Sequence, residues 1–276
     1  MSFSEIQKLK SLVKTAAKEE LLKDFGHSAY ECKDDGSVVT PADIAMQNRL
    51  QQELEHHWPM YDILGEEMTD AEQQAVISKA LANQGHGYWC IDPLDGTTNY
   101  ASGVPFFAVS VALIVDNQQQ LGLIYDPVRD EMFTAIKGQG ACLNDQKIGH
   151  SGHCSYTRIT ENKPIIAEID LKRLPKKLVV KLVTENLFAS QRNLGSSALD
   201  WCWLAAGRFD IFLHGGHKLW DYAAGSLIFT EAGGQSISLD NEAVFRGRLE
   251  IRSALACYDE DMFNHWYQWS GIAEGL

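Results

Sequence analysis

Two aspartates lie three residues apart in the segment Ile91-Asp92-Pro93-Leu94-Asp95-Gly96-Thr97-Thr98-Asn99-Tyr100. Hard divalent cations prefer oxygen ligands, and Mg²⁺ is usually held by a few carboxylates together with phosphate oxygens of a substrate. Asp92, Asp95 and the carbonyl of Leu94 between them would supply three such oxygens from one tight turn. The segment therefore predicts a metal site, and a metal site of this kind indicates phosphate chemistry.

Three further motifs carry residues suited to the same chemistry: Gly65-Glu66-Glu67 after a predicted strand, Gly195-Ser196-Ser197 before a predicted helix, and Trp220-Asp221 at a helix start. Alone, each has an ordinary structural explanation, as a turn, a helix N-cap or a capping acid, and Asp-Pro-x-Asp-Gly is also a common β-turn sequence. Their joint occurrence favours one site. Strand ends and helix starts meet at one edge of a layered fold, where helix-start amides bind phosphate.

The elements that would position these motifs mix helices with strands. The patterns predict helices over about 3–24, from Pro41, over 176–186, 197–207 and 221–231, and at the C-terminus. They predict strands at 61–64, 87–91, 131–137, 165–168, 209–213, 235–238 and 254–258, with a hairpin of 108–115 and 120–125 around Asp116-Asn117. This order predicts layers of sheet and helix around a shared core.

The same motifs resemble those of the inositol monophosphatase family, in that family's order and across nearly the whole chain. The matching segments are 38–43 (VVTPAD), 65–67 (GEE), 89–100 (WCIDPLDGTTNY), 194–198 and 219–234 (LWDYAAGSLIFTEAGG). The resemblance implies a layered α+β or α/β fold, an αβαβα sandwich of the inositol monophosphatase and fructose-bisphosphatase type. It implies one catalytic domain over residues 1–276, with subdomain layers of roughly 1–145 and 146–276.

The resemblance also implies metal ligands, at Glu66, Asp92, the Leu94 carbonyl, Asp95 and Asp221. Four converging carboxylates need a counter-charge, because one like-charge pair at 4 Å costs about 4 kcal/mol near a protein surface. The motifs themselves contain no lysine or arginine to offset it. Two or three Mg²⁺ ions would do so and would attract a phosphate dianion.

The implied mechanism is in-line displacement by a metal-bound water. By the resemblance, Thr97 orients or deprotonates this water with Asp43 behind it, and Glu67 supports the metal site. The expected substrate contacts are Asp95, Gly96, Thr97, Gly195, Ser196, Ser197, His214 and Asp221.

The substrate is expected to be a small phosphorylated metabolite, with myo-inositol monophosphate as the first choice. His214 departs from the family pattern, because members that prefer inositol phosphate usually have a glutamate there. The alternatives are a 3'(2'),5'-bisphosphate nucleotidase, another sugar or polyol phosphatase, histidinol phosphate as substrate, and, less favoured, a non-catalytic regulatory protein. The resemblance further implies inhibition by Li⁺ and a homodimer.

The composition of the chain bears on nucleic-acid binding, on membrane insertion and on the location of the protein. The net charge of -13 over 276 residues disfavours a nucleic-acid surface. The longest nearly apolar run, 104–115, is shorter than the roughly 20 residues that span a bilayer. Six scattered cysteines and an N-terminus without a signal-peptide pattern predict reduced thiols and a cytoplasmic location.

Overall fold

The structure is a computed structural model that describes residues 2–33, 36–82, 86–149, 164–185 and 187–275. Its helices are α1 (Phe3–Glu20), α2 (Pro41–His57), α3 (Asp70–Ala82), α4 (Thr97–Ala101), α5 (Lys176–Thr184), α6 (Ser197–Ala205), α7 (Leu219–Glu231) and α8 (Glu260–Ser270). Its strands are β1 (Glu31–Cys32), β2 (Val38–Val39), β3 (Asp62–Gly65), β4 (Gly87–Asp95), β5 (Ala108–Val115), β6 (Gln118–Asp126), β7 (Glu131–Ile136), β8 (Gly140–Leu143), β9 (Gln146–Ile148), β10 (Ile166–Asp170), β11 (Ser190–Arg192), β12 (Ile211–His217), β13 (Gln235–Ile237) and β14 (Arg252–Cys257). Cys154 and the predicted helix end at Asn186 lie outside the described residues.

One sheet has seven strands in the order β3-β4-β5-β6-β7-β8-β9. β3 and β4 are parallel, and each later pair is antiparallel. Successive side chains of a strand point to opposite faces, so a sheet covered on both sides has continuous apolar strands. In β5, Val109 and Val111 pack on one side while Ala112 and Ile114 pack on the other.

The second sheet has five strands in the order β11-β10-β12-β14-β13. β10 runs parallel to both β11 and β12, whereas β14 is antiparallel to β12 and β13. The carboxyl ends of β10, β11 and β12 therefore open on one edge, the part of such a sheet where ligands usually bind.

Helices fill the space between the sheets and cover their outer faces. α1 and α2 pack on one face of the seven-stranded sheet, α6 and α7 lie between the two sheets, and α5 and α8 cover the outer face of the five-stranded sheet. The layer order is helix, sheet, helix, sheet, helix, so the predicted αβαβα sandwich is confirmed. In the described part of the chain, none of the helices combines the length and apolar character of a membrane span.

Close packing fixes α7 on the seven-stranded sheet. A Cβ atom at Gly122 of β6 would lie 2.6 Å from the carbonyl oxygen of Ala224 in α7, so only glycine lets the two backbones approach this closely. The hydroxyl of Ser110 in β5 donates to the carbonyl oxygen of Trp220 at 3.1 Å. These contacts hold the first turn of α7 against β5 and β6.

Among the elements that the sequence analysis missed, α3 and the β8–β9 hairpin carry local signals. α3 begins with a capping box, in which the amide of Thr69 donates to Glu72 Oε2 at 2.9 Å and the amide of Glu72 donates to Thr69 Oγ1 at 3.4 Å. β8 and β9 form a hairpin around Asn144 and Asp145, whose φ angles of 47° and 65° suit a two-residue turn.

Three predicted element ends were wrong by four residues, one of them that of β12, which ends at His217 instead of residue 213. α1 ends at Glu20 instead of residue 24, and hydrogen-bonded turns follow it. β4 continues to Asp95 instead of stopping at Ile91, with a register shift between Asp92 and Asp95. The acidic segment is therefore the irregular end of a buried strand and not a separate turn.

Candidate active site

Three aspartates converge where β4 meets the first turn of α7. One carboxylate oxygen from each of Asp92, Asp95 and Asp221 lies within 4.8 Å of the others. Asp92 and Asp95 are 1% and 8% exposed, which removes most of the water that would otherwise screen their repulsion. Oxygen ligands in this number and placement suit a hard divalent cation.

A backbone N–H orients each carboxylate of this triad. Asp92 Oδ1 accepts from the amide of Leu94 at 3.0 Å, and Asp95 Oδ2 accepts from the amide of Ala198 in α6 at 2.8 Å. Asp221 Oδ2 accepts from the amide of Lys218, the N-cap residue of α7, at 2.7 Å. Two of the three donors belong to helix starts, where free N–H groups favour anions.

The pKa values of this cluster reflect its burial. Burial and then the neighbouring carboxylates raise the pKa of Asp92 and Asp221 well above the usual range. Burial raises the pKa of Asp95 to about 6 and that of Glu66 to about 7. Unpaired buried charges are costly, so the cluster needs protons or cations, and the donor set fits Mg²⁺.

Glu66 comes next to Asp92 through the parallel pairing of β3 and β4. Gly65 pairs with Ile91, and the amide of Glu66 donates to the carbonyl oxygen of Ile91 at 3.2 Å. The Glu66 carboxylate stands outside the 4.8 Å triad, but its charge acts on both Asp92 and Asp221. Glu66 as a metal ligand stays a prediction.

Two lysines that the motifs did not include approach this cluster. Lys33 Nζ lies 2.7 Å from Glu67 Oε1 and 3.8 Å from Glu66 Oε1. The charge of Lys218 acts on Glu66 and Asp221. Both lysines line a cavity of about 610 Å³ with Glu66 and Glu67. Lys218 was detectable by its place directly before the Leu-Trp-Asp start of α7, whereas Lys33 reaches the site only through tertiary packing.

Thr97 and Asp43 meet across 54 positions of sequence. Thr97 Oγ1 lies 2.9 Å from Asp43 Oδ1 and 3.0 Å from the carbonyl oxygen of Leu94, so its single proton has two acceptors. Asp43 Oδ2 accepts from the amide and hydroxyl of Thr40 at 2.8 and 2.6 Å, as the N3 residue of the α2 capping box. The local start of α2 thus fixes the carboxylate that contacts Thr97.

Two glycines in the left-handed region bring the Gly195-Ser196-Ser197 motif next to the segment that contains Asp92 and Asp95. Gly96 has φ 94° and Gly195 has φ 80°, and a Cβ on Gly96 would lie 3.3 Å from the carbonyl oxygen of Gly195. Asn99 Nδ2 donates to the carbonyl oxygen of Leu194 at 2.7 Å, which links the two loops. The packing thus places these two motifs next to each other.

The two serines of this motif differ in their surroundings. The Ser196 hydroxyl donates to Asp95 Oδ2 and caps α6 by accepting from the amide of Leu199 at 3.4 Å, so it is engaged in holding the triad. Ser197 Oγ is buried without a hydrogen-bond partner. Substrate contact by these serines stays a prediction.

His214 lies on β12, directly paired with Asp170 of β10. Its Nδ1 accepts from the amide of Gly216 at 3.1 Å, and its Nε2 lies 3.3 Å from Asp170 Oδ2. Both ring nitrogens are thus engaged within the protein. The sequence analysis did not single out Asp170, which lies two residues beyond the strand predicted at 165–168, whereas the observed β10 ends at Asp170.

The inositol monophosphatase family model matches residues 3–264 of this chain. The chain is 36% identical over 215 residues to the Nus factor SuhB of Pasteurella multocida, covering 74% of this chain and 76% of that protein. It is 33% identical over 268 residues to the inositol-1-monophosphatase of Mesorhizobium japonicum, covering 90% and 94%. The crystal structure of the extragenic suppressor protein suhB from Bartonella henselae superposes with a TM-score of 0.79 at 28% identity, over 99% of this chain and 100% of that one. With this match over nearly its whole length and the family's motifs gathered at one site, the chain belongs to the inositol monophosphatase family.

Proposed function

We propose that this protein hydrolyses the phosphate monoester of a small polyol by means of a metal-activated water, with myo-inositol monophosphate as the leading substrate. The observation that carries the proposal is the buried triad of Asp92, Asp95 and Asp221 beside the Thr97–Asp43 hydrogen bond. Membership of the family supports a phosphatase-type function.

The proposed cofactor is Mg²⁺, as two or three ions. Asp92, Asp95 and Asp221 would hold it, with Glu66 and the Leu94 carbonyl as further ligands. Bound here, Mg²⁺ would lower the pKa of a water and stabilise the leaving oxygen. The buried carboxylates support this choice, because without a cation their charges repel one another at low exposure.

The proton path proposed for the water runs through Thr97. Its hydroxyl donates to Asp43 Oδ1, so when a lone pair of the Thr97 oxygen takes a proton from the water, the hydroxyl proton would pass to the Asp43 carboxylate. Asp43 is 1% exposed and accepts two hydrogen bonds from Thr40, so it keeps Thr97 in place during the reaction. Glu67 supports the metal site from behind through its ion pair with Lys33.

The phosphate is proposed to lie between the two glycine loops. The amides of Gly96 and Thr97 would donate to its oxygens, with Gly195 and Ser197 opposite them. The leaving alcohol would then extend toward His214 at the carboxyl edge of β10 and β12. We further propose inhibition by Li⁺, a homodimer and a cytoplasmic location.

Two other functions remain as alternatives. A 3'(2'),5'-bisphosphate nucleotidase or another sugar phosphatase would use the same metal site with a different leaving group. A regulatory role is the second class, favoured by the relative named Nus factor SuhB. A regulatory protein without activity would have no need to retain the whole set of metal carboxylates together with Thr97.

The test is phosphate release from a panel of esters with and without Mg²⁺. We expect myo-inositol monophosphate to be cleaved in Mg²⁺ and release to stop with a chelator or with Li⁺. We expect Asp92→Asn to lose activity by about 100-fold or more, because a metal ligand and its charge are removed. The same change at Asp145, an exposed residue of the β8–β9 turn, serves as the matched control.

Faster cleavage of a 3',5'-bisphosphate nucleotide than of inositol phosphate would reject the leading substrate in favour of the first alternative. An active Asp92→Asn protein would reject the proposed site. Absence of release from every ester in Mg²⁺ would leave the regulatory class.

A further inference from the structure

A polar group stands at the carboxyl edge of the five-stranded sheet, beside the aspartate triad. Asp170 is the last residue of β10, and its register partner is His214 on the parallel strand β12. Seven residues after His214 the chain reaches Asp221 of the triad. The carboxyl edge of parallel strands is where ligands of layered α/β folds bind, so Asp170 occupies a position suited to substrate contact.

The imidazole of His214 has no ring nitrogen left for a ligand. Nδ1 accepts from the amide of Gly216 at 3.1 Å, which assigns the proton of the neutral ring to Nε2. Nε2 lies 3.3 Å from Asp170 Oδ2. His214 therefore acts on the edge of the sheet by holding the Asp170 carboxylate.

The Asp170 carboxylate stays ionised and partly exposed to solvent. Burial alone would raise the pKa of Asp170, but the hydrogen bonds from His214 and from the amide of Lys172 hold it below the usual range. The amide bond is 2.7 Å long and ends on Oδ1. One fifth of the Asp170 side chain, 20%, is exposed, so this carboxylate stays accessible at the sheet edge.

Behind Asp170, several buried side-chain oxygens have no hydrogen-bond partner. Glu168, two residues earlier in β10, accepts from the amide of Leu194 with Oε1, while its Oε2 is buried without a partner. Asp200 Oδ1 and Ser197 Oγ in the first turn of α6 are buried without a partner as well. Buried polar atoms without partners are uncommon in folded proteins, and three of the eight found in the described residues are these.

We propose that Asp170 is the residue that reads the hydroxyl groups of the leaving alcohol, with His214 as its positioning residue. This inference rests on the proposed phosphomonoesterase function and gives its substrate class: an alcohol that carries free hydroxyl donors next to the ester. A carboxylate accepts two such donors, whereas an alcohol without hydroxyls gains nothing from it.

The test compares two esters in the full-length protein with Mg²⁺. For Asp170→Asn we expect kcat/KM for myo-inositol monophosphate to fall about 10- to 100-fold, the loss of a hydrogen bond to a charged group, mostly through KM. For p-nitrophenyl phosphate, whose leaving group has no hydroxyl donors, we expect a change of less than about 3-fold. His214→Ala should shift the same ratio in the same direction by less, because Asp170 stays present but loses its orientation.

The ratio of the two kcat/KM values is the readout, since a merely structural defect would lower both together. If the wild-type enzyme cleaves inositol phosphate and Asp170→Asn leaves the ratio unchanged, the role of Asp170 alone is overturned. A larger effect from His214→Ala than from Asp170→Asn would assign the contact to His214 and overturn the proposal. A wild-type protein that releases phosphate from neither ester would overturn the proposed function itself.

Discussion

At the scale of single residues, the site is a set of carboxylates whose directions are fixed before any ligand binds. Asp92, Asp95 and Asp221 each accept a backbone N–H, and Asp43 accepts two donors from Thr40. Such anchors reduce the reorganisation that a site needs when charge develops in a reaction. The cost is repulsion among buried like charges, which a cation can offset.

Thr97 offers the sharpest test of the proton path at this scale. In Thr97→Val, which keeps the shape but removes the hydroxyl, we expect kcat to fall about 100-fold or more with little change in KM, because proton transfer by a positioned group contributes on that order. Thr97→Ser should recover most of the activity, since its hydroxyl can still bond Asp43. Steady-state kinetics of both variants in Mg²⁺ are the measurement. A fully active Val variant would exclude Thr97 from the proton path.

At the scale of elements, three starts of helices and the end of one strand build the site. α2 brings Asp43 through its capping box, α6 holds Asp95 with its first amides, and α7 brings Asp221 to the irregular end of β4. α6, α7 and β4 lie in the interior of the layered fold and α2 packs on the outer face of the seven-stranded sheet, so close packing sets the position of each. Geometry at the triad therefore depends on contacts far from the carboxylates.

Gly122 tests this dependence on packing. In Gly122→Ala the added methyl would lie 2.6 Å from the Ala224 carbonyl, so α7 must move off β6. We expect a loss of about 1–3 kcal/mol in the free energy of unfolding and a lower kcat, as overpacking and displacement of Asp221 predict. Gly138→Ala is the comparison: it lies at φ 75° with open space around its Cβ and adds backbone strain alone.

Urea unfolding and kinetics of the two variants give the readout. A Gly122→Ala protein that is no less stable than Gly138→Ala, or that keeps full kcat, would contradict the role assigned to this contact.

At the scale of the whole molecule, an acidic protein must receive an anionic ester. The net charge of -13 repels phosphate, and the buried triad adds to that repulsion locally. Lys33 and Lys218, which line the cavity beside Glu66 and Glu67, offset part of this repulsion. Bound Mg²⁺ would supply the rest, so folding stability, metal binding and substrate attraction are coupled in this molecule.

This coupling predicts a pH dependence of stability. The pKa of Asp95 is raised from 3.8 to about 6 and that of Glu66 from 4.5 to about 7, so between these values the folded protein binds more protons than the unfolded chain. Without metal, stability therefore falls as the pH rises from about 4 to 7, the range between the unfolded and folded pKa values of these two groups. We expect Mg²⁺ to raise Tm more at pH 8 than at pH 5, by binding the ionised ligands of the folded state.

Thermal unfolding in chelator and in saturating Mg²⁺ at the two pH values measures this difference. Asp92→Asn should be more stable than wild type in chelator at pH 8 and should lose most of the Mg²⁺ response. Equal Mg²⁺ shifts at both pH values would contradict the coupling.

Much of the fold and the site was predictable from local signals. The apolar runs of β5 and β6 and the helix start at Pro41 follow from neighbouring residues, and the structure agrees with them. α3 was missed because its pattern is polar, although Thr69 to Glu72 signalled its start. The extension of β4 to Asp95 was not predictable, because Pro93 and Gly96 read locally as a turn.

The sequence by itself determined the layered fold, the family and the acidic, glycine-flanked motifs, because these depend on residue types at short and fixed spacing. The tertiary structure alone decided which side chains share one space. It brought Lys33 to Glu67, joined Thr97 to Asp43, and paired Asp170 with His214 across two parallel strands. Such contacts join residues tens of positions apart, so strand register and helix packing create them, and no local pattern encodes them.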